Sequence, residues 1–97
     1  MLAQGDVLLI KEGAMPSGVL EAVPDGVVAR GEATGHAHRL GMKARLYRLA
    51  PSMELWVDAR EGGSLTHEEH GALDLKGLYR VVIQREYDGA YSRLVTD

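Results

Sequence analysis

Apolar residues along this chain recur in short runs with a period near two, and glycine or proline closes most of them. Residues 7–11 are β-branched and leucine-rich, residues 27–30 follow a Pro24-Asp25-Gly26 turn, and residues 45–49 alternate before Pro51. Each predicts a strand, because side chains two apart face the same side of a pleated backbone. A shorter run at 55–57 ends at Asp58, and Glu61-Gly62-Gly63 predicts the next turn. Over 78–87, Tyr79, Val81 and Ile83 share one face while Arg80, Val82 and Gln84 share the other, the pattern of a half-buried strand. Asp88-Gly89, flanked by polar and aromatic residues on both sides, predicts a two-residue hairpin turn, since both central positions tolerate positive φ. Residues 12–25 read as a loop with a short strand around Val19 and Leu20. No window offers the roughly 12 residues of 3.6-period apolar spacing that a full helix shows. The expected fold is therefore all-β, a small β-barrel or β-sandwich occupying 1–97 as a single domain and ending in a β-hairpin.

Composition narrows the chemistry. With 97 residues a modest core is attainable without staples, although a metal could still add stability. Zero cysteines exclude thiolate zinc sites, iron–sulfur clusters, disulfides and cysteine nucleophiles, which leaves histidine and carboxylate as the strong metal ligands. A formal charge of −3 gives no global attraction for nucleic acid. The first six residues carry no basic region followed by an apolar stretch, and no apolar run approaches a membrane span, so a cytoplasmic protein without a membrane partner is expected. Asparagine is absent and glutamine occurs only at Gln4 and Gln84, a shortage of thermolabile residues that fits a thermophilic source.

All four histidines fall in two tight pairs, Gly35-His36-Ala37-His38-Arg39 and His67-Glu68-Glu69-His70-Gly71. Imidazole is both the commonest protein ligand for first-row transition metals and the usual proton shuttle near neutral pH. In a strand, His36 and His38 would stand about 6.5–7 Å apart on one face, close enough for both rings to reach one ion. His67 and His70 would be neighbours in a single helical turn, which Thr66-His67-Glu68-Glu69 favours as a capping box that Gly71 can close. If the segment is extended instead, His67 and Glu69 share a face and Glu69 replaces His70 as the candidate ligand. Glu68 is expected to be solvated in both cases. The spacing of the second pair differs from the His-Glu-x-x-His helix of zinc proteases.

Five blocks in order, Gln4-Gly5-Asp6-Val7-Leu8-Leu9-Ile10, then 31–38 ending in Thr34-Gly35-His36-Ala37-His38, then Leu65-Thr66-His67-Glu68-Glu69-His70-Gly71, Gly77-Leu78-Tyr79-Arg80-Val81 and Gln84-Arg85-Glu86-Tyr87, cover nearly the whole chain. Together they resemble a family of small uncharacterised bacterial and phage proteins. A looser similarity to cupins would match His36 and His38 to a His-x-His metal pair and His67 or His70 to a later ligand. The cupin glutamate after the pair is missing, with Gly41-Met42-Lys43 in its place.

Three function classes follow. The first is a β-domain with a divalent-metal site built from His36, His38, His67 and His70, with Glu69 as an alternative ligand or catalytic base; zinc, nickel, iron, manganese and copper all accept such donors. The second uses the histidines as metal-free acid and base groups, with Arg39 or Arg85 stabilising negative charge. The third is a non-enzymatic interaction module with structural histidines. Arg39, Lys43, Arg45 and Arg48 around Tyr47 could touch phosphate, but a solvated strand explains them better, so nucleic acid is not the expected partner. Trp56 and Tyr79 are expected in the core or at an interface rather than as ligand-stacking platforms. Unpaired strand edges leave a homodimer open as an oligomeric state.

Overall fold

The computed structural model describes residues 1–31, 35–84, 86–88 and 91–93, the last two stretches as backbone path alone. Every regular element among them is a strand. In chain order these are β1 (Leu2–Gln4), β2 (Val7–Glu12), β3 (Val19–Ala22), β4 (Val27–Arg30), β5 (Ala37–Gly41), β6 (Arg45–Ala50), β7 (Glu54–Thr66), β8 (Leu73–Ile83), β9 (Glu86–Asp88) and β10 (Tyr91–Arg93). The first eight form one antiparallel sheet in the order β1-β2-β8-β7-β5-β4, with β6 also on β7 and β3 on β6. The sheet is open, so of the two expected architectures the closed barrel is not formed.

The registers explain why the sheet bends. β6 pairs with 54–58 of β7 and β5 with 64–66, so β5 and β6 lie end to end along one side of the same long strand. β4 and β3 repeat this along their outer side. Between the two halves β7 shifts register against β8 from Ala59 to Gly63. The expected turn at Glu61-Gly62-Gly63 is thus a bulge inside a continuous strand: Gly62 and Gly63, at φ 93 and 156, redirect the backbone without ending its pairing. Gly63 also lets the β5–β6 turn sit directly on β7, since a Cβ there would lie 2.5 Å from Ala44 Cβ and 3.1 Å from the Gly41 carbonyl.

The core is one cluster in which Val7, Leu9, Leu40, Leu46, Val57, Ala59, Leu65, Leu75, Tyr79 and Val81 pack together. Their spacing obeys the period of two that the sequence shows on β2, β7 and β8. Trp56 and Tyr79 are buried as expected, and their polar ends reach Glu54 and the Lys76 backbone. Leu9 and Leu65 are fully buried, and truncation of Leu9 to alanine is expected to cost about 2–5 kcal/mol in chemical denaturation. A loss below about 1 kcal/mol would mean that the site collapses around the missing methyls.

Other elements differ from expectation in detail. β8 starts at Leu73, earlier than 78, and ends at Ile83, before β9 begins at Glu86. The terminal hairpin is present, but Asp88 pairs with Tyr91, one residue beyond a register centred on Asp88-Gly89; residues 89 and 90 lie outside the described set, as does Arg85. β1, too short to stand out as a strand, pairs Gln4 with Val7 and so places Gly5 and Asp6 in a two-residue connection.

Candidate metal centre

Three segments converge at one end of the sheet: the β1–β2 connection, the start of β5 and the β7–β8 loop. His36 immediately precedes β5 and His38 lies within it, and both rings meet His67, at centroid distances of 5.6 and 4.3 Å. His67 is 4.6 Å from His70, and His38 stacks nearly parallel to His70 at 6.1 Å. All four imidazoles therefore belong to one cluster.

The expected helical turn at 66–69 is not formed. Thr66 ends β7, and its hydroxyl donates to the Arg39 carbonyl. His67 takes over the capping role instead: its Nδ1 accepts the backbone N–H groups of Glu69 at 3.0 Å and His70 at 3.3 Å. A ring acceptor satisfies the amides that a threonine oxygen would otherwise have capped, and the loop closes without a helix. Because Nδ1 is the acceptor, the proton of neutral His67 resides on Nε2.

His38 is held in the opposite tautomer. Gln4, almost fully buried, donates its side-chain amide to the Leu65 carbonyl at 2.9 Å and the Gly71 carbonyl at 2.8 Å. Carbonyls only accept, so the amide nitrogen must stand between them and Oε1 must face His38 Nδ1, 2.8 Å away. Nδ1 is then the donor, and in the neutral ring Nε2 carries the lone pair. That nitrogen faces the Asp6 carboxylate, with Nε2 3.6 Å from Oδ1 and both side chains buried. Gly5, at φ 58, permits this approach: a Cβ at that position would lie 2.7 Å from His70 Nε2 and 3.3 Å from His38 Cε1.

The carboxylates differ in role. Glu69 lies 3.2 Å from His36 Nδ1 and is half exposed. Glu68, expected to be merely solvated, is exposed yet accepts the Ala37 N–H at 3.0 Å, tying the loop to the start of β5. His36, His67 and Glu68 can each place a ligand atom within 4.8 Å of the others. The Ala37 N–H, with Glu68's own backbone N–H behind it, holds the Glu68 carboxyl below the usual carboxylate range. A lowered folded-state value makes this contact complete above the ordinary glutamate pKa of about 4.3 and lost as the pH falls through the lower folded value. The Ala37 amide proton is expected to move upfield in NMR spectra over that acid window, and in Glu68→Gln the movement should vanish. An Ala37 resonance equally pH-dependent in both proteins would contradict this.

A shallow groove of about 230 Å³ beside the cluster is lined by Ala37, Arg39, Thr66, His67 and Glu68. A larger one of about 360 Å³, between the Pro24 turn and β6, contains no histidine and lies outside the cluster. Reading the residues alone picked out the four histidines, Glu69 and their convergence but missed Gln4, Gly5 and Asp6. The Gln-Gly-Asp triplet between two apolar runs was the available signal.

Residues 3–84 match the family described as Domain of unknown function (DUF8820), and the chain belongs to that family. No curated protein and no solved structure matches it.

Proposed function

We propose that this DUF8820 domain binds a divalent transition-metal ion at its histidine cluster, with imidazole ligands drawn from His36, His38, His67 and His70 and carboxylate from the acidic residues beside them. The observation that carries the reading is the bond between Gln4 Oε1 and His38 Nδ1. Metal-ligating histidines almost always donate their other ring N–H to a fixed acceptor, which sets the tautomer and turns the lone pair toward the ion. Gln4 is anchored at both amide hydrogens, so it is such an acceptor.

The donor set agrees. Nitrogen and oxygen ligands without thiolate suit zinc, nickel, iron or manganese, and zinc bonds of about 2.0–2.2 Å are within reach of a cluster this tight after small rotamer changes. A bound ion would supply Lewis acidity, and Glu69, 3.2 Å from His36 Nδ1, would be the candidate base beside it. No helix among the described residues is long and apolar enough to cross a membrane.

Elemental analysis of untagged protein purified without chelator tests the proposal. Stoichiometric metal in the wild type, lost in a His36→Ala/His38→Ala double variant, is the expected result. A wild type that is free of metal and binds none of zinc, nickel, iron or manganese on titration would remove the reading.

A further inference from the structure

We infer that the ion is seated by His36, His67 and Glu68, and that seating it draws His67 away from the two backbone amides it caps, so that the 67–70 loop has one conformation without metal and another with it. The inference rests on the metal-binding reading and names the ligands and the loop that answer to the ion.

The ligand set is the first step. His36, His67 and Glu68 each offer one ligand atom, and these atoms all lie within 4.8 Å of one another. Bonds of about 2.0–2.2 Å at near-tetrahedral angles put two donors about 3.3–3.6 Å apart, so little movement brings all three onto one ion. Two imidazoles and one carboxylate are a donor set that zinc accepts with a coordination position left open. His38, oriented by Gln4, adjoins the trio, its ring centroid 4.3 Å from that of His67.

The coupling follows from the His67 ring. A neutral imidazole has one N–H and one acceptor nitrogen, and only an acceptor nitrogen binds a metal. In His67 the acceptor is Nδ1, already committed to the backbone N–H groups of Glu69 at 3.0 Å and His70 at 3.3 Å. An ion that takes Nδ1 displaces both amides directly. An ion that takes Nε2 moves the ring proton to Nδ1, where it turns an acceptor into a donor that faces two donors. Either route uncaps the loop.

The fold confines the change to a short span. At one end the Thr66 hydroxyl donates to the Arg39 carbonyl at 3.3 Å, and at the other the Gly71 carbonyl accepts the Gln4 amide at 2.8 Å. Neither anchor involves a ligand. Between them the Glu69 contact is exposed and the His70 contact half-buried, so water can accept both N–H groups once the ring has left them. Because His67 and Glu68 also line the groove of about 230 Å³, the metal sets the shape of that wall.

Nitrogen-15 NMR of the wild type, without metal and saturated with zinc, tests this. Without zinc, a scalar coupling across the N–H···N hydrogen bond connects His67 Nδ1 to the Glu69 amide nitrogen. With zinc bound, that coupling is expected to vanish and the amide protons of Glu69 and His70 to move upfield. In Glu68→Gln, which keeps the shape and removes the charge, zinc affinity read against a chromophoric chelator is expected to fall at least about tenfold, the lower bound seen even for residues that only support a ligand. Zinc that binds while the coupling persists, or that binds Glu68→Gln as tightly as the wild type, would overturn the inference and leave the metal-binding reading standing. A wild type that binds no zinc would sink both.

Discussion

Gln4→Leu is expected to destabilise the fold by about 3–5 kcal/mol and to weaken metal binding at least about tenfold. Leucine has similar bulk but no polar atoms. The Leu65 and Gly71 carbonyls and the His38 Nδ1–H would all lose their partner at once, in a place where water has little access. Each buried group left unsatisfied costs about 1–3 kcal/mol. Against a total stability of about 5–15 kcal/mol for a domain, this is a large fraction. Gln4 also fastens the short edge strand β1 to the β7–β8 loop, so the damage should reach both halves of the site. Urea denaturation reads the first effect and zinc titration of the folded fraction the second. A variant within about 1 kcal/mol of the wild type would show that water replaces the amide and that Gln4 does not set the tautomer.

Gly63→Ala should be nearly as severe, for a steric reason. The new methyl would meet the Ala44 side chain and backbone nitrogen at 2.5 and 3.0 Å, contacts that only a backbone shift can relieve. Overpacking of this kind costs about 1–3 kcal/mol, and a side chain at positive φ adds about 1–2 more. A melting temperature lower by about 10–20 °C follows for a domain of this size. Gly62→Ala is the control, because its φ of 93 carries the backbone strain while nothing lies within 4 Å of the added Cβ. Equal losses in the two variants would mean that the β5–β6 turn yields freely and that close packing on β7 is not what shapes the bend.

The strands that a sequence reader can find here are those whose own residues alternate between core and solvent. Val7 and Leu9, Leu46, and Tyr79 with Val81 declare their faces locally, and all of them enter the core. Closeness within each histidine pair was likewise readable, since residues two apart in a strand share a face and residues three apart in a turn are neighbours, although the turn at 67–70 is not the helical one expected. What could not be read depends on contacts far apart in sequence. Gln4 joins partners 34, 61 and 67 residues away, and nothing near it announces them. The Gly62-Gly63 pair suits a turn and a bulge equally well, and only the continued pairing with β8 decides between them. In the same way Thr66 looks like a helix cap until the His67 ring claims the amides that it would have held.

The most direct test of the central claim is nitrogen-15 NMR of the histidine rings, recorded without metal and after addition of zinc. The structure predicts that His38 carries its proton on Nδ1 and His67 on Nε2 before zinc is added, and that zinc shifts His38 Nε2 while the Nδ1–H bound to Gln4 persists. Ring nitrogens that do not respond to zinc, or a His38 protonated on Nε2 and bare on Nδ1, would contradict it.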